Sequence, residues 1–222
     1  MGKRRLEDAL KKIDQPVEVV YRSFELDPTI ERDVNYNIYE KLSNKYGMSI
    51  EQAKANCQNM NRMAQAEGLD YQFDTMILTN TFDAHRLTML AKSKGLMHEM
   101  TERLLHAFYT ESKHIGDHST LIELALEVGL DQKEVTSLLE SDLMANEVRS
   151  DQQEASELGI RSIPFFLINR KYAITGAQST DIFVQSLQQI IEQDGPFQSQ
   201  EEVEGATCDD DGCELPNSKQ DN

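Results

Sequence analysis

Cysteine is scarce in this sequence: Cys57, Cys208 and Cys213 are the only three in 222 residues. So few cannot build the disulfide framework on which small secreted domains rely, and in a reducing compartment they default to free thiols, metal ligands or redox groups. No run of 18 apolar residues occurs, which excludes a helical membrane span. The start, Met1-Gly-Lys-Arg-Arg-Leu-Glu-Asp, has basic residues with no apolar stretch behind them, so no secretory signal is read there and a cytoplasmic location is expected. Basic residues are also in short supply, with 22 Lys and Arg against 39 Asp and Glu and a formal net charge of -17. Such a balance repels a phosphate backbone, and neither nucleic acid nor a membrane is expected as a partner.

The acidity is concentrated at the end. Residues 197–222 carry eight acids against Lys219 alone, contributing -7 of the -17 and leaving about -10 on the rest. With Gly195-Pro196 at its border, few apolar residues and no periodicity, this segment cannot offset its ordering entropy by burial, and a disordered tail is expected.

Periodicity organises the remainder. Leu6, Ala9, Leu10 and Ile13 share one face of an opening helix that ends before Gln15-Pro16, and Val17–Phe24 reads as a strand. From about Asp33 to Leu158 the pattern is almost wholly helical, punctuated by Gly47, Gly68, Gly95, Gly116, Gly129 and Gly159, with a capping box at Asp131–Glu134. No internal repeat is evident. Two strands around Pro164 and Ile174 follow, and then a helix from Ser179 to about Gln193 with Ile182, Phe183, Leu187, Ile190 and Ile191 on its buried side.

The stretch Gly159-Ile-Arg-Ser-Ile-Pro164-Phe-Phe-Leu-Ile-Asn169, with Tyr172–Gln178 behind it, is the most informative. A proline can open an apolar strand because no ladder hydrogen bond is asked of it there, and Ile163-Pro164 is a candidate cis peptide. Together with Tyr21-Arg-Ser-Phe-Glu-Leu-Asp-Pro28, Thr79-Asn-Thr-Phe-Asp-Ala-His-Arg-Leu87, Ile115-Gly-Asp-His118 and Thr175-Gly-Ala-Gln178, it resembles the DsbA family of thioredoxin-fold oxidoreductases, in its FrnE-type branch. The likeness runs from Gly2 to about Gln193. It implies an α/β fold class, thioredoxin-like with a large helical insertion. Residues 1–28 and 159–195 would form the thioredoxin-like domain, residues 29–158 the insertion, and residues 196–222 the acidic tail.

The activity that the resemblance implies is protein disulfide oxidoreductase or isomerase chemistry. A thiolate attacks a substrate disulfide, the mixed disulfide lies beside Pro164, and a second thiol resolves it. Protein disulfides or thiols, and glutathione, are the implied partners, and no cofactor is expected. In that family a short strand and a Cys-Pro-x-Cys motif precede the segment matching Gly2-Lys-Arg-Arg-Leu6, the strand lying between those matching Val17–Phe24 and Ile163–Asn169. Here Met1 stands at that place. The chain as read therefore lacks the dithiol and is expected to be inactive or impaired, either through a start placed after the motif or as a paralogue that has lost it.

Cys57 falls on the same helical face as Ile50, Ala53, Met60 and Ala64 and is expected to be an inert core thiol. Cys208 and Cys213, in Cys-Asp-Asp-Asp-Gly-Cys, are spaced for a small disulfide loop, but the flanking acids disfavour a thiolate, so they are a candidate secondary redox pair and not a primary nucleophile. Two thiols with scattered carboxylates fall short of a zinc site, the Asp run lacks the spacing of a calcium loop, and no metal is expected. Asn80 is a candidate N-cap, and by the resemblance Asn80, His85 and Arg86 line the substrate side, with Ile163 at the cleft. His98, His106, His114 and His118 show no ligand spacing and are read as solvent-facing or structural. Two other functions stay open: a peptide-binding module without chemistry, and a glutathione-dependent isomerase of a small aromatic substrate.

Overall fold

The computed structural model of the protein describes residues 1–195. The acidic tail, with Cys208 and Cys213, lies outside the described residues. Helix α1 (Gly2–Leu10) is extended by a turn in which the Ile13 N–H donates to Leu10 O at 3.1 Å, and it stops ahead of Pro16 as its periodicity predicts. The following segment corrects the sequence reading. Val17–Phe24 forms no regular strand, because a strand exists only through a ladder partner and no backbone-to-backbone hydrogen bond joins these residues to any other described residue.

Side chains hold that segment instead. The Ser23 N–H donates to Asp151 Oδ2 at 2.7 Å and Arg22 Nη1 to Asp151 Oδ1 at 2.9 Å, while Glu25 accepts from Arg149 at 2.9 Å and Gln152 at 2.5 Å. The Asp151 and Glu25 carboxylates are only 4% and 1% exposed, so these are enclosed, charge-assisted bonds rather than loose surface pairs.

Seven helices follow: α2 (Ile38–Tyr46), α3 (Ile50–Gln65), α4 (Phe82–Ser93), α5 (Met97–Tyr109), α6 (His118–Val128), α7 (Gln132–Leu139) and α8 (Ala145–Glu157). Their starts are chemically marked. Reciprocal capping boxes join Asn37 to Glu40 and Ser49 to Gln52, and Asp117 accepts from Thr120 N. Only half of the box expected at Asp131–Glu134 forms, with Asp131 accepting from Lys133 N and Glu134 N. One cluster centred on Leu87, Met100, Leu121, Leu124, Val135 and Leu138 unites α4 to α7, and a second unites α2, α3 and the 71–78 segment around Tyr39, Cys57 and Phe73.

Met60 departs from the face assigned to it, being 45% exposed while Ala53, Cys57 and Ala64 are buried. The 71–73 segment packs on the Asn61 side of α3, where the Tyr71 N–H donates to Asn61 Oδ1 at 3.0 Å, so Met60 falls on the uncovered margin.

Strands β1 (Phe165–Ile168) and β2 (Tyr172–Thr175) form an antiparallel hairpin with Phe165 opposite Thr175 and Ile168 opposite Tyr172. Asn169 and Arg170 both have positive φ, 51° and 53°, and the Lys171 N–H closes the turn on Ile168 O at 3.0 Å, a turn whose twist matches that of the strands. Helix α9 (Thr180–Asp194) begins at Ser179, whose hydroxyl accepts from Ile182 N, and packs on α1. Phe183 is fully buried edge-on to Phe166, ring centres 4.8 Å apart, and further along α9 Leu187 and Ile190 are buried outside that cluster. Ile182, expected on that face, is 42% exposed, because the covered side of α9 turns toward Val184.

Candidate active site at Pro164

Helix α1 has no side-chain N-cap, so its first N–H groups keep their hydrogen-bonding capacity, and the positive end of its dipole lies at Gly2. That end meets Pro164. A Cβ built on Gly2 would stand 2.9 Å from Pro164 Cγ and 3.3 Å from Phe166 Cζ, which shows how closely the helix backbone approaches the proline ring. The Ile163-Pro164 bond is cis. Pro164 O accepts from Gly176 N at 2.9 Å, so the turn after β2, left-handed at Gly176 with φ 75°, closes onto the proline. Ile163 is 45% exposed beside it.

Three basic residues of α1 fix this arrangement. Arg5 spans from Glu67, at 2.6 Å, to Ala177 O, at 2.7 Å, tying α1 both to the end of α3 and to the turn that holds Pro164. Lys3 and Arg4 meet Glu102 of α5 at 2.5 and 2.7 Å, and Lys3 also meets Glu7. Glu102 is driven upward in pKa by burial but more strongly downward by the Lys3 hydrogen bond and the charges of Lys3 and Arg4, so its pKa falls below the ordinary glutamate value. From the helical part, Tyr71 also reaches this end of α1: its hydroxyl accepts from the Met1 nitrogen at 3.1 Å.

The other residues singled out in the sequence do not gather at Pro164. Asn80 is not itself the N-cap of α4, a position that Thr81 holds, yet its Oδ1 accepts from Phe82 N at 2.8 Å and its Nδ2 donates to Ile30 O at 3.0 Å, so both ends of the amide are used locally. His85 lies half-buried against residues 24 and 25. Burial lowers its pKa, against the opposing charges of Glu25 and Asp151. Arg86, which the resemblance put on the substrate side, is turned inward. Its guanidinium is buried, paired with Asp83 at 2.7 Å and donating to the carbonyls of Leu138, Ser141 and Leu143, so it serves the C-terminus of α7.

Cys57 is buried, and its thiol pKa is pushed up by that burial and then by Asp74. His98, His106, His114 and His118 each face one carboxylate, at 3.7, 3.1, 3.2 and 2.9 Å. Among the described residues no group of three His, Cys, Asp or Glu gathers to hold a metal, and no helix is long and apolar enough to cross a membrane. Open depressions lie along α7 and over residues 27–36, and neither includes Pro164 or Gly2.

Sequence reasoning singled out Pro164 and Ile163 but not Tyr71, Arg5 or Glu102, which the structure brings to the N-terminus of α1. Nothing local marks them. Tyr71 is one aromatic in an inter-helix segment, and the two charges look like any solvated pair until α1 is docked.

A helix N-terminus facing a cis-proline at the head of a hairpin is the arrangement that the resemblance implied. The family model for a DSBA-like thioredoxin domain matches residues 1–188. This chain belongs to the DsbA-like thioredoxin family. The family works by thiol-disulfide exchange on thiol or disulfide substrates, and the fold here is its thioredoxin-like fold with a helical insertion. A probable DsbA oxidoreductase from Streptomyces coelicolor is 38% identical, with a TM-score of 0.82 over 97% of this chain and 93% of that one. The curated protein YwbO of Bacillus subtilis, described as uncharacterized, is 29% identical over 84% of this chain and 88% of its own length. A cytosolic disulfide reductase, DsbM of Pseudomonas aeruginosa solved with GSH, shares the fold at 17% identity and a TM-score of 0.59, covering 86% of this chain and 92% of that one.

Proposed function

We propose that this protein is a thiol-disulfide oxidoreductase or isomerase of the FrnE-type branch, acting in the cytoplasm, in which Ile163 and Pro164 hold an extended thiol or disulfide substrate against the N-terminus of α1. The observation that carries this reading is the close approach of Gly2 to the Pro164 ring, which puts the helix N–H groups and the proline at one place. Exchange there needs a thiolate, which the helix terminus stabilises. Among the described residues the only thiol is Cys57, and its burial and raised pKa make it a poor nucleophile. Cys208 and Cys213, in the tail, are proposed as a secondary redox pair, with their acidic neighbours holding the thiolate fraction down.

The 222-residue chain alone is therefore expected to reduce insulin slowly, and a chain carrying Cys-Pro-x-Cys ahead of Gly2 is expected to reduce it fast. Insulin reduction by the 222-residue chain at the rate of an ordinary thioredoxin, abolished by Cys208→Ser, would make the tail the active dithiol and overturn this assignment.

A second reading, a peptide-binding module without chemistry, is favoured by the exposed Ile163 side chain beside a β1 that pairs only with β2 among the described residues. It predicts that the chain with the added dithiol stays inactive while a reduced peptide still binds.

A further inference from the structure

We infer that Tyr71 is the residue through which the helical part of the chain takes hold of a sulfur ligand, its hydroxyl donating to a thiolate held beside Pro164 at the N-terminus of α1. This deepens the function proposed above and rests on it. The oxygen of Tyr71 accepts from the Met1 nitrogen at 3.1 Å, which places it at the helix terminus. Its own proton is not taken by any acceptor among the described residues. The ring cannot easily turn away. It stacks on Tyr109, centroids 4.6 Å apart, and stands edge-on to Phe73 at 5.9 Å, while its backbone N–H is held by Asn61 at 3.0 Å. Burial, and then Tyr109, push the phenol pKa up to about 12, so at neutral pH the group donates a hydrogen bond and does not act as a base.

The ligand class follows from which donors remain. Lys3, Arg4 and Arg5 are engaged by Glu102 and Glu67, and the opposite wall is the proline ring and Phe166. What is left is a helix terminus, the Met1 nitrogen that meets Tyr71, and one neutral hydroxyl. That suits a singly charged, weakly hydrated sulfur better than a phosphate dianion, which is matched by free guanidinium groups.

Reduced glutathione serves as the probe. With the wild-type chain its thiol is expected to titrate at lower pH than free in solution, followed by the ultraviolet absorbance of the thiolate. Tyr71→Phe keeps the ring contacts and removes only the hydroxyl. It is expected to weaken binding about tenfold, the size of one hydrogen bond to a charged group, and to return the thiol titration toward that of free glutathione at saturation. The titration shift at saturation separates a direct contact from a loss of packing. Binding and titration unchanged by Tyr71→Phe overturn the inference and leave the proposed function standing, whereas no binding by the wild-type chain overturns both.

Discussion

Among the described residues, fifteen buried side chains from α4 to α7 and their loops form one cluster, whereas α1, the hairpin and α9 share a cluster in which only Ala9, Ile174 and Phe183 are buried. The helical part closes a core from its own stripes, since each helix satisfies its backbone internally and needs only an apolar face to pack. At the α/β end, charges on α1 meet the helical part through Glu102 and Glu67. Its two-stranded sheet is marginal by itself. The candidate site lies where the loosely cored end meets the better packed one. The proline and the helix terminus are thus positioned by a rigid neighbour rather than by a large core of their own.

The sharpest way to break this contrast is Phe183→Ala. Removing the one fully buried aromatic of the smaller cluster is expected to cost about 3–5 kcal/mol. Hydrogen exchange should then quicken in α1, the hairpin and α9 while α4 to α7 stay protected. Uniform loss of protection would mean that the two parts fold as one unit.

A smaller effect is expected from Gly2→Ala. Alanine improves helix propensity by about 1 kcal/mol, but its methyl would stand 2.9 Å from the proline ring, and overpacking costs about 1–3 kcal/mol. The ring cannot rotate aside, so net destabilisation of about 1 kcal/mol is expected in a thermal melt, with α1 displaced from Pro164. A neutral or stabilising result would show that the approach is looser than the geometry gives.

Asp151→Asn tests how the segment without a ladder is held. The amide keeps one acceptor but loses the charge that meets Arg22 and the Ser23 N–H, for about 1–2 kcal/mol. Amide exchange should rise in residues 17–26 and not in α6. Equal exchange in both proteins would show that side chains other than Asp151 hold the segment.

The smallest effect belongs to Glu102→Gln, at most about 1 kcal/mol for a partly exposed pair. Because the Glu102 pKa lies below the ordinary value of 4.5 in the folded chain, its contribution is complete above that value and is lost as pH falls through the lowered one. The variant should therefore flatten the acid limb of the stability curve and leave it unchanged near neutrality. An acid limb identical in the two proteins would remove Glu102 from the clamp.

The sequence by itself determined the helices and the hairpin, because their signals are local: the period of Leu6, Ala9 and Leu10, the cap at Asp131, the turn between Ile168 and Tyr172. It also singled out Ile163-Pro164, whose bond is cis and whose ring the N-terminus of α1 approaches. What it misjudged depends on partners distant in the chain. Val17–Phe24 has the composition of a strand yet no ladder among the described residues, and Ile182 and Met60 have the right period but the wrong neighbours. Nothing local in α4 marks that Arg86 will meet the carbonyls at the end of α7. Only the tertiary structure decided that Arg5, Glu102 and Tyr71 converge on the N-terminus of α1, because a lone charge or ring carries no mark of the residue 70 to 170 positions away that it will meet.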